Sequence, residues 1–164
     1  MTEPAFSLIT LQKYWENYQQ RLIATITPLS SEQFALPVAS HQTIGELVEH
    51  MIGARFWWFH QWMGEGDADL VHWADNWSEE EQANPDAASL VTGFEKTWQM
   101  ISSALSCWTA ADLEHLVPPP AAVAAERSAH TREWIVWHVL EHEIHHGGEL
   151  SLALGGYGLQ GIDI

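Results

Sequence analysis

The sequence predicts an all-α protein built as a four-helix bundle. Four stretches repeat apolar residues at the three- and four-residue spacing of an amphipathic helix, and no stretch shows the alternation typical of a half-buried strand. Residues typical of helix termini bound these stretches. The chain has 164 residues, a length that suits one domain with its own core, so we predict a single domain over residues 1–164.

The first two predicted helices cover residues 7–27 and residues 43–62. The first has an apolar stripe of Leu8, Leu11, Trp15, Tyr18, Leu22 and Ile26. In the second, Thr43 and Glu46 have the spacing of a capping box, in which each side chain binds the other residue's backbone N–H. Gly64 follows the second stretch and is expected to end the helix.

The third and fourth predicted helices are separated from their neighbours by long connections. The third follows Pro85 and has one apolar face made of Leu90, Val91, Phe94, Trp98, Ile101, Leu105 and Trp108. The fourth begins after Thr131, which has the form of an N-cap, and runs to about Leu154. Residues 65–84 connect helices two and three, and residues 117–130 connect helices three and four. Connections of this length are often functional or locally structured, although a solvated crossover is the simpler interpretation.

Charge excludes two classes of partner. The chain has 22 acidic and 6 basic residues, a net charge of -16, and no basic cluster. Binding of nucleic acid requires Lys and Arg to neutralise phosphates, and anionic membranes repel an acidic surface.

No apolar run approaches the roughly 18 residues of a membrane span, and no signal peptide is recognisable. Cys107 is the only cysteine, which is compatible with the cytoplasm, where we expect the protein.

A group of histidines is the strongest functional signal in the sequence. The chain has ten histidines, and four of them lie within one short stretch of helix four: His138, His142, His145 and His146. Positions four residues apart share one face of a helix, so His142 and His146 can bring two imidazole nitrogens to one cation. A third ligand must come from another helix, and His50 on helix two is the best candidate.

Three imidazoles predict a metal site with an open position. Neutral imidazole suits Zn, Ni, Cu or Fe, and three protein ligands leave room for water or substrate. The alternative is that these histidines are hydrogen-bonded core residues. The segment from His142 to His146 also matches the HExxH pattern of zinc proteases. Those enzymes need a third ligand further along the chain, and the short remainder offers only Glu149 and Asp163, so proteolysis is disfavoured.

Two segments give the chain a resemblance to a known superfamily. They are TIGELVEH, from Thr43 to His50, and WHVLEHEIHHGGE, from Trp137 to Glu149. With the order and length of the helices over about residues 6–158, they resemble the DinB-like superfamily of four-helix metalloproteins. The resemblance implies that a histidine of the first segment and the two of HxxxH in the second bind metal, which here are His50, His142 and His146. The family often has Arg-Gly-Gln after its paired histidines, where this chain has Gly-Gly-Glu, so an anion-binding role for that Arg is not expected here.

The resemblance implies several functions. Members of this superfamily include thiol S-transferases and thiol-dependent isomerases, others are known as metal-dependent hydrolases, and homodimers are common. We therefore predict one divalent metal ion per chain, zinc or nickel first, with iron or manganese as alternatives. The predicted substrates are a small-molecule electrophile and a low-molecular-weight thiol, and the predicted assembly is a homodimer. A metal-dependent hydrolase and a non-catalytic metal-binding or metal-sensing protein are the alternative functions.

Further residues are candidates for roles around the metal. Glu143 directly follows a predicted ligand and is the first candidate for an acid–base group, with Glu149 as the second. His138 lies one turn before the first ligand of helix four and is expected to orient it. Five tryptophans are candidates for an apolar substrate pocket, with Trp57 and Trp137 first; the others are Trp58, Trp62 and Trp134. The simpler interpretation is that the glutamates are solvated or capping groups and that the tryptophans belong to the core.

Overall fold

Four long helices form the bundle in the computed structural model, which describes residues 7–40, 43–77 and 85–164. In chain order, the described helices are α1 (Leu8–Ile26), α2 (Ser31–Phe34), α3 (Ile44–Arg55), α4 (Ala68–Asn76), α5 (Ala87–Cys107), α6 (Ala110–Leu113) and α7 (Arg132–Gly156). The long helices are α1, α3, α5 and α7. In the bundle, α1 packs against α5, and α3 packs against both α5 and α7. The predicted all-α bundle is confirmed.

The long helices begin at polar side chains that cap their first turns. Ser7, Thr43, Asp86 and Thr131 each accept a hydrogen bond from a backbone N–H of the helix that follows. The capping box predicted at Thr43 is present, because the Glu46 side chain accepts a hydrogen bond from the Thr43 backbone in return. These contacts satisfy N–H groups that have no partner within the helix. Local sequence therefore fixes where all four long helices begin.

The second predicted helix changes its geometry half-way. It runs as α3 to Arg55 and continues as a π-helix over Phe56–Trp62. The π-helix has wider turns than an α-helix, and such segments are rare and frequent at functional sites. The chain then turns at Gly64, whose φ of 76° lies in the left-handed region that favours glycine. The predicted end at this glycine is observed, but periodicity alone did not predict the π-helix.

Both predicted connections contain regular structure. The first contains α4, which the sequence analysis did not predict and which begins at the Asp67 cap; residues 78–84 of this connection lie outside the described part of the chain. The second contains a short 3₁₀ helix, Ala121–Val123. It also brings together β1 (Leu116–Val117) and β2 (His130–Thr131), which pair antiparallel. None of the described helices is long and apolar enough to cross a membrane.

A buried polar layer lies within the apolar core. One apolar cluster includes Trp15, Trp58, Trp98 and Val139, and the other includes Leu22, Ile52, Phe94 and Leu150. Each of the four helical segments of the bundle, with α3 taken together with its π-helical continuation, contributes one residue to each of these sets. In each of these four segments, one buried polar residue lies in sequence between the two apolar residues. The four polar residues are Gln19, Arg55, Thr97 and Glu143. We call these four residues the polar layer.

Gly147 allows α7 to approach α1. A Cβ at this position would overlap the hydroxyl of Tyr18, whereas a Cβ at Gly148 would meet nothing within 4 Å. The Tyr18 hydroxyl donates a hydrogen bond to the backbone carbonyl of Glu143. Overpacking typically costs about 1–3 kcal/mol, and alanine exceeds glycine in helix propensity by up to about 1 kcal/mol. We therefore expect Gly147→Ala to lower the free energy of unfolding in urea and Gly148→Ala to raise it slightly. Equal stability of the two variants would show that Tyr18 moves aside without cost.

Candidate metal centre

Three histidines from two helices meet at the surface where α3 packs against α7. The Nε2 atoms of His50 and His142 are 2.9 Å apart, and those of His142 and His146 are 3.1 Å apart. His146 is buried, His142 is half-buried and His50 is exposed. The cluster is therefore held against the bundle on one side and open to solvent on the other.

The geometry of the three imidazoles fits a divalent cation. In a tetrahedral zinc site the nitrogens lie 2.0–2.1 Å from the ion and therefore about 3.3 Å from one another. The observed Nε2 separations of 2.9 and 3.1 Å are close to that spacing. Three nitrogen donors of intermediate softness suit zinc, nickel, copper or iron. The cluster could thus hold a metal ion.

The surroundings of His142 keep it neutral. Burial, followed by the neighbouring imidazoles of His146 and His50, lowers the pKa of His142 to about 3. Only the neutral imidazole has the lone pair that a metal requires, and a low pKa keeps that form dominant at neutral pH. The protein thus prepares His142 to act as a ligand.

Glu149 holds His146 in the orientation that the cluster needs. Its carboxylate lies 2.6 Å from Nδ1 of His146 and accepts a hydrogen bond from the Ser40 hydroxyl at 3.2 Å. Burial acts to raise the pKa of Glu149, but the bonds from His146 and Ser40 outweigh it and place that pKa below its usual value. A carboxylate that accepts from Nδ1–H fixes the tautomer whose Nε2 can bind a metal. This geometry favours an orienting role for Glu149 over the predicted acid–base role.

A second group of potential ligands overlaps the first. His145, His146 and Glu149 also have ligand atoms close together. His145 has a side chain that is 67% exposed, and its Nε2 lies 3.6 Å from the Glu149 carboxylate. Since Glu149 already accepts a hydrogen bond from His146, this group is explained as one ligand of the first cluster and the carboxylate that orients it.

Glu143 is placed differently from the sequence prediction. Its side chain is 2% exposed, and both carboxylate oxygens are bonded to the Arg55 guanidinium, at 2.7 and 2.8 Å. The Trp15 indole N–H donates a third hydrogen bond to the carboxylate. Both oxygens are thus engaged inside the core, so the geometry argues against an acid–base role for Glu143. The physical reason is its position: Glu143 is 100° around α7 from His142 and faces the core.

Aromatic rings lie beside the cluster, and they come from the wider group of candidate tryptophans, not from Trp57 and Trp137. Trp137 is 58% exposed, and Trp57 packs against the apolar core. His138 instead stacks on Trp134 with ring centres 4.8 Å apart, and the edge of Trp58 contacts it at 4.9 Å. Burial lowers the pKa of His138. The ring centre of His138 is 6.3 Å from that of His142. His138 and the two tryptophans that it contacts therefore lie beside the candidate metal site.

Sequence reasoning missed Arg55 and Ser40. Arg55 had one usable signal, since it is the only charged residue in the apolar run from Met51 to Phe59. A charged side chain within such a run is buried only when it is paired. Ser40 had no such signal, because its contact with Glu149 joins a loop to a distant helix.

Comparison with known proteins identifies the family. A family model described as mycothiol-S-transferase matches residues 10–153, most of the chain. The chain belongs to the mycothiol-S-transferase family. It is also similar to the crystal structure of a DinB-like protein from Bacillus cereus, with a TM-score of 0.68, 18% sequence identity and coverage of 93% of each chain. At this identity the likeness shows the fold alone, and with the family match it confirms the predicted DinB-like superfamily. A comparison with curated proteins found no match.

Proposed function

We propose that the protein is a metal-dependent enzyme that transfers a low-molecular-weight thiol onto a small-molecule electrophile. The observation that carries this proposal is the convergence of three Nε2 atoms, from His50, His142 and His146, at ligand spacing. Membership of the mycothiol-S-transferase family supports the choice of a thiol as substrate and suggests mycothiol as the first one to test. We propose zinc or nickel as the metal, with one ion per chain.

Each part of the site has a task in this reaction. A divalent cation held by three neutral imidazoles keeps its full charge and would lower the pKa of a thiol that it binds. The exposed side of the cluster, at His50, admits the substrates. Trp134 and His138, which stack on each other and pack against the buried Trp58, offer apolar surface for the electrophile beside the cluster. In the transfer, the thiol loses its proton to solvent, its sulfur bonds to the electrophilic carbon, and the leaving group departs with the bonding electrons.

Thiol-dependent turnover tests this proposal. Metal-loaded protein is mixed with an alkylating electrophile, with and without mycothiol, and with glutathione or cysteine in its place. We expect the electrophile to disappear faster with protein and mycothiol together than with either alone. Cleavage of esters or amides without any thiol would instead identify a metal-dependent hydrolase. Tight metal binding with no turnover would indicate a binding or sensing protein.

Two further expectations belong to the same proposal. A reduced thiol is abundant in the cytoplasm, where we expect the enzyme to work. The homodimer implied by the superfamily stays a prediction. Size-exclusion chromatography with light scattering measures the mass directly.

A further inference from the structure

Arg55 uses every hydrogen-bond donor that it has inside the bundle. Arg55 is fully buried. Nε and Nη2 donate to the two oxygens of Glu143, and Nη2 also donates to Gln19 at 2.5 Å. Nη1 donates to the backbone carbonyl of Phe94 at 3.2 Å and contacts the Thr97 hydroxyl at 3.5 Å. A guanidinium has five N–H groups, so Arg55 is fully satisfied and links α3 to the other three long helices.

The pair of Arg55 and Glu143 is a poor source of stability. Removing two charges from water costs about as much as their attraction returns, and apolar residues of similar volume often serve as well or better. A bidentate pair instead specifies geometry, because its two parallel bonds tolerate little displacement of either partner. One buried polar contact can fix the register of packed helices in this way. The distinctive contribution of this pair is therefore the relative position of α3 and α7.

The same two helices carry the metal-ligand candidates. Glu143 directly follows His142 in α7, and Arg55 lies five residues after His50 in α3, about 7.5 Å further along the helix axis. The ion pair and the pair of imidazoles thus cross one interface a short distance apart. Any sliding of α3 against α7 that breaks the ion pair also separates the two Nε2 atoms that are 2.9 Å apart.

We propose that Arg55 and Glu143 are positioning residues that set the register of α3 against α7 and so hold His50 and His142 at the spacing of metal ligands. The proposal rests on the proposed metal site. It adds that a buried ion pair in the core determines the geometry of that site. It predicts that metal affinity depends on the ion pair even where stability does not.

Metal binding and stability, measured on the same variants, test the proposal. Arg55→Met combined with Glu143→Leu removes both charges together, and Arg55→Lys keeps the charge but loses the planar fork. Affinity for Zn²⁺ is measured by competition with a chelator, the visible spectrum of bound Co²⁺ reports ligand geometry, and thermal unfolding of the metal-free protein reports stability. We expect both variants to fold and to bind Zn²⁺ roughly 10–100-fold more weakly, as when partners of metal ligands are removed, with a shifted Co²⁺ spectrum.

Leu105→Ala is the matched control. Leu105 is buried in the apolar cluster that contains Trp15, so its loss lowers stability without touching the ion pair. We expect this variant to keep the Zn²⁺ affinity to within about twofold, as for independent sites. Variants of Arg55 and Glu143 that bind Zn²⁺ like the wild type would overturn the positioning role and leave the metal site intact. A loss of Zn²⁺ affinity that parallels the loss of stability in every variant, including Leu105→Ala, would also overturn the positioning role. A wild-type protein that binds no metal would instead overturn the proposed function.

Discussion

Replacing His50, His142 or His146 by alanine is expected to sharply reduce binding of the proposed metal ion. The three Nε2 atoms converge with one candidate ligand from α3 and two from α7. Structural zinc sites with four ligands bind with about 10–16 kcal/mol, or roughly 3 kcal/mol for each ligand. Loss of one imidazole should therefore weaken binding by about a hundredfold or more. Equilibrium dialysis followed by elemental analysis measures the metal that each variant retains.

His145→Ala is the control for these variants. It removes an imidazole from the same turn of α7, but His145 is exposed and its contact is with the Glu149 carboxylate. We expect this variant to retain most of the metal. Loss of metal in His145→Ala, together with retention in His50→Ala, would place the ion in the alternative group of His145, His146 and Glu149. The two sets of candidate ligands share only His146, so the comparison of His50 and His142 with His145 distinguishes them.

The histidine cluster could be predicted because its chemistry follows helical periodicity. His142 and His146 lie four residues apart, and that spacing alone places them on one face of α7. The ends of the long helices were also predictable, since the caps at Thr43 and Thr131 are local signals. The choice of His50 required more, namely its place on the apolar side of the second helix and the resemblance to a known superfamily.

The polar layer could not be predicted from local pattern. Glu143 lies beside a ligand in sequence, which suggested an acid–base role, but its true partner is Arg55, 88 residues away. Periodicity gives the angle between Glu143 and His142 around the helix, yet it does not give the residue that faces Glu143 from another helix. The same reason explains Trp137, whose sequence position beside the cluster told nothing of its exposure to solvent.

The helix α4 escaped prediction for a different reason. It lies in an acidic segment, and only Leu70 of its nine residues is buried. Nine residues are fewer than the roughly 11–18 over which helical periodicity is usually recognised. Its stability comes from the Asp67 cap and from packing on α5, and packing is tertiary information.

Removing the metal is expected to abolish thiol transfer, whereas Cys107→Ala should leave the rate nearly unchanged. Cys107 is the only cysteine in the sequence, and it lies exposed at the last residue of α5, while the histidine cluster is built on α3 and α7. The nucleophile is therefore expected to come from the added thiol, not from the protein. Consumption of an alkylating electrophile in the presence of mycothiol is followed before and after chelation, for the wild type and for Cys107→Ala.

Re-addition of metal makes the chelation experiment specific. If the metal acts at the histidine cluster, Zn²⁺ or Ni²⁺ should restore the rate of the chelated wild type and of Cys107→Ala, but not that of His142→Ala. Circular dichroism of the chelated protein separates loss of the ion from loss of the fold, because a bundle with this apolar core should keep its helices without metal. Activity that survives chelation but disappears in Cys107→Ala would identify the Cys107 thiol as the nucleophile. Activity that the ion restores even in His142→Ala would place the reaction at another metal site.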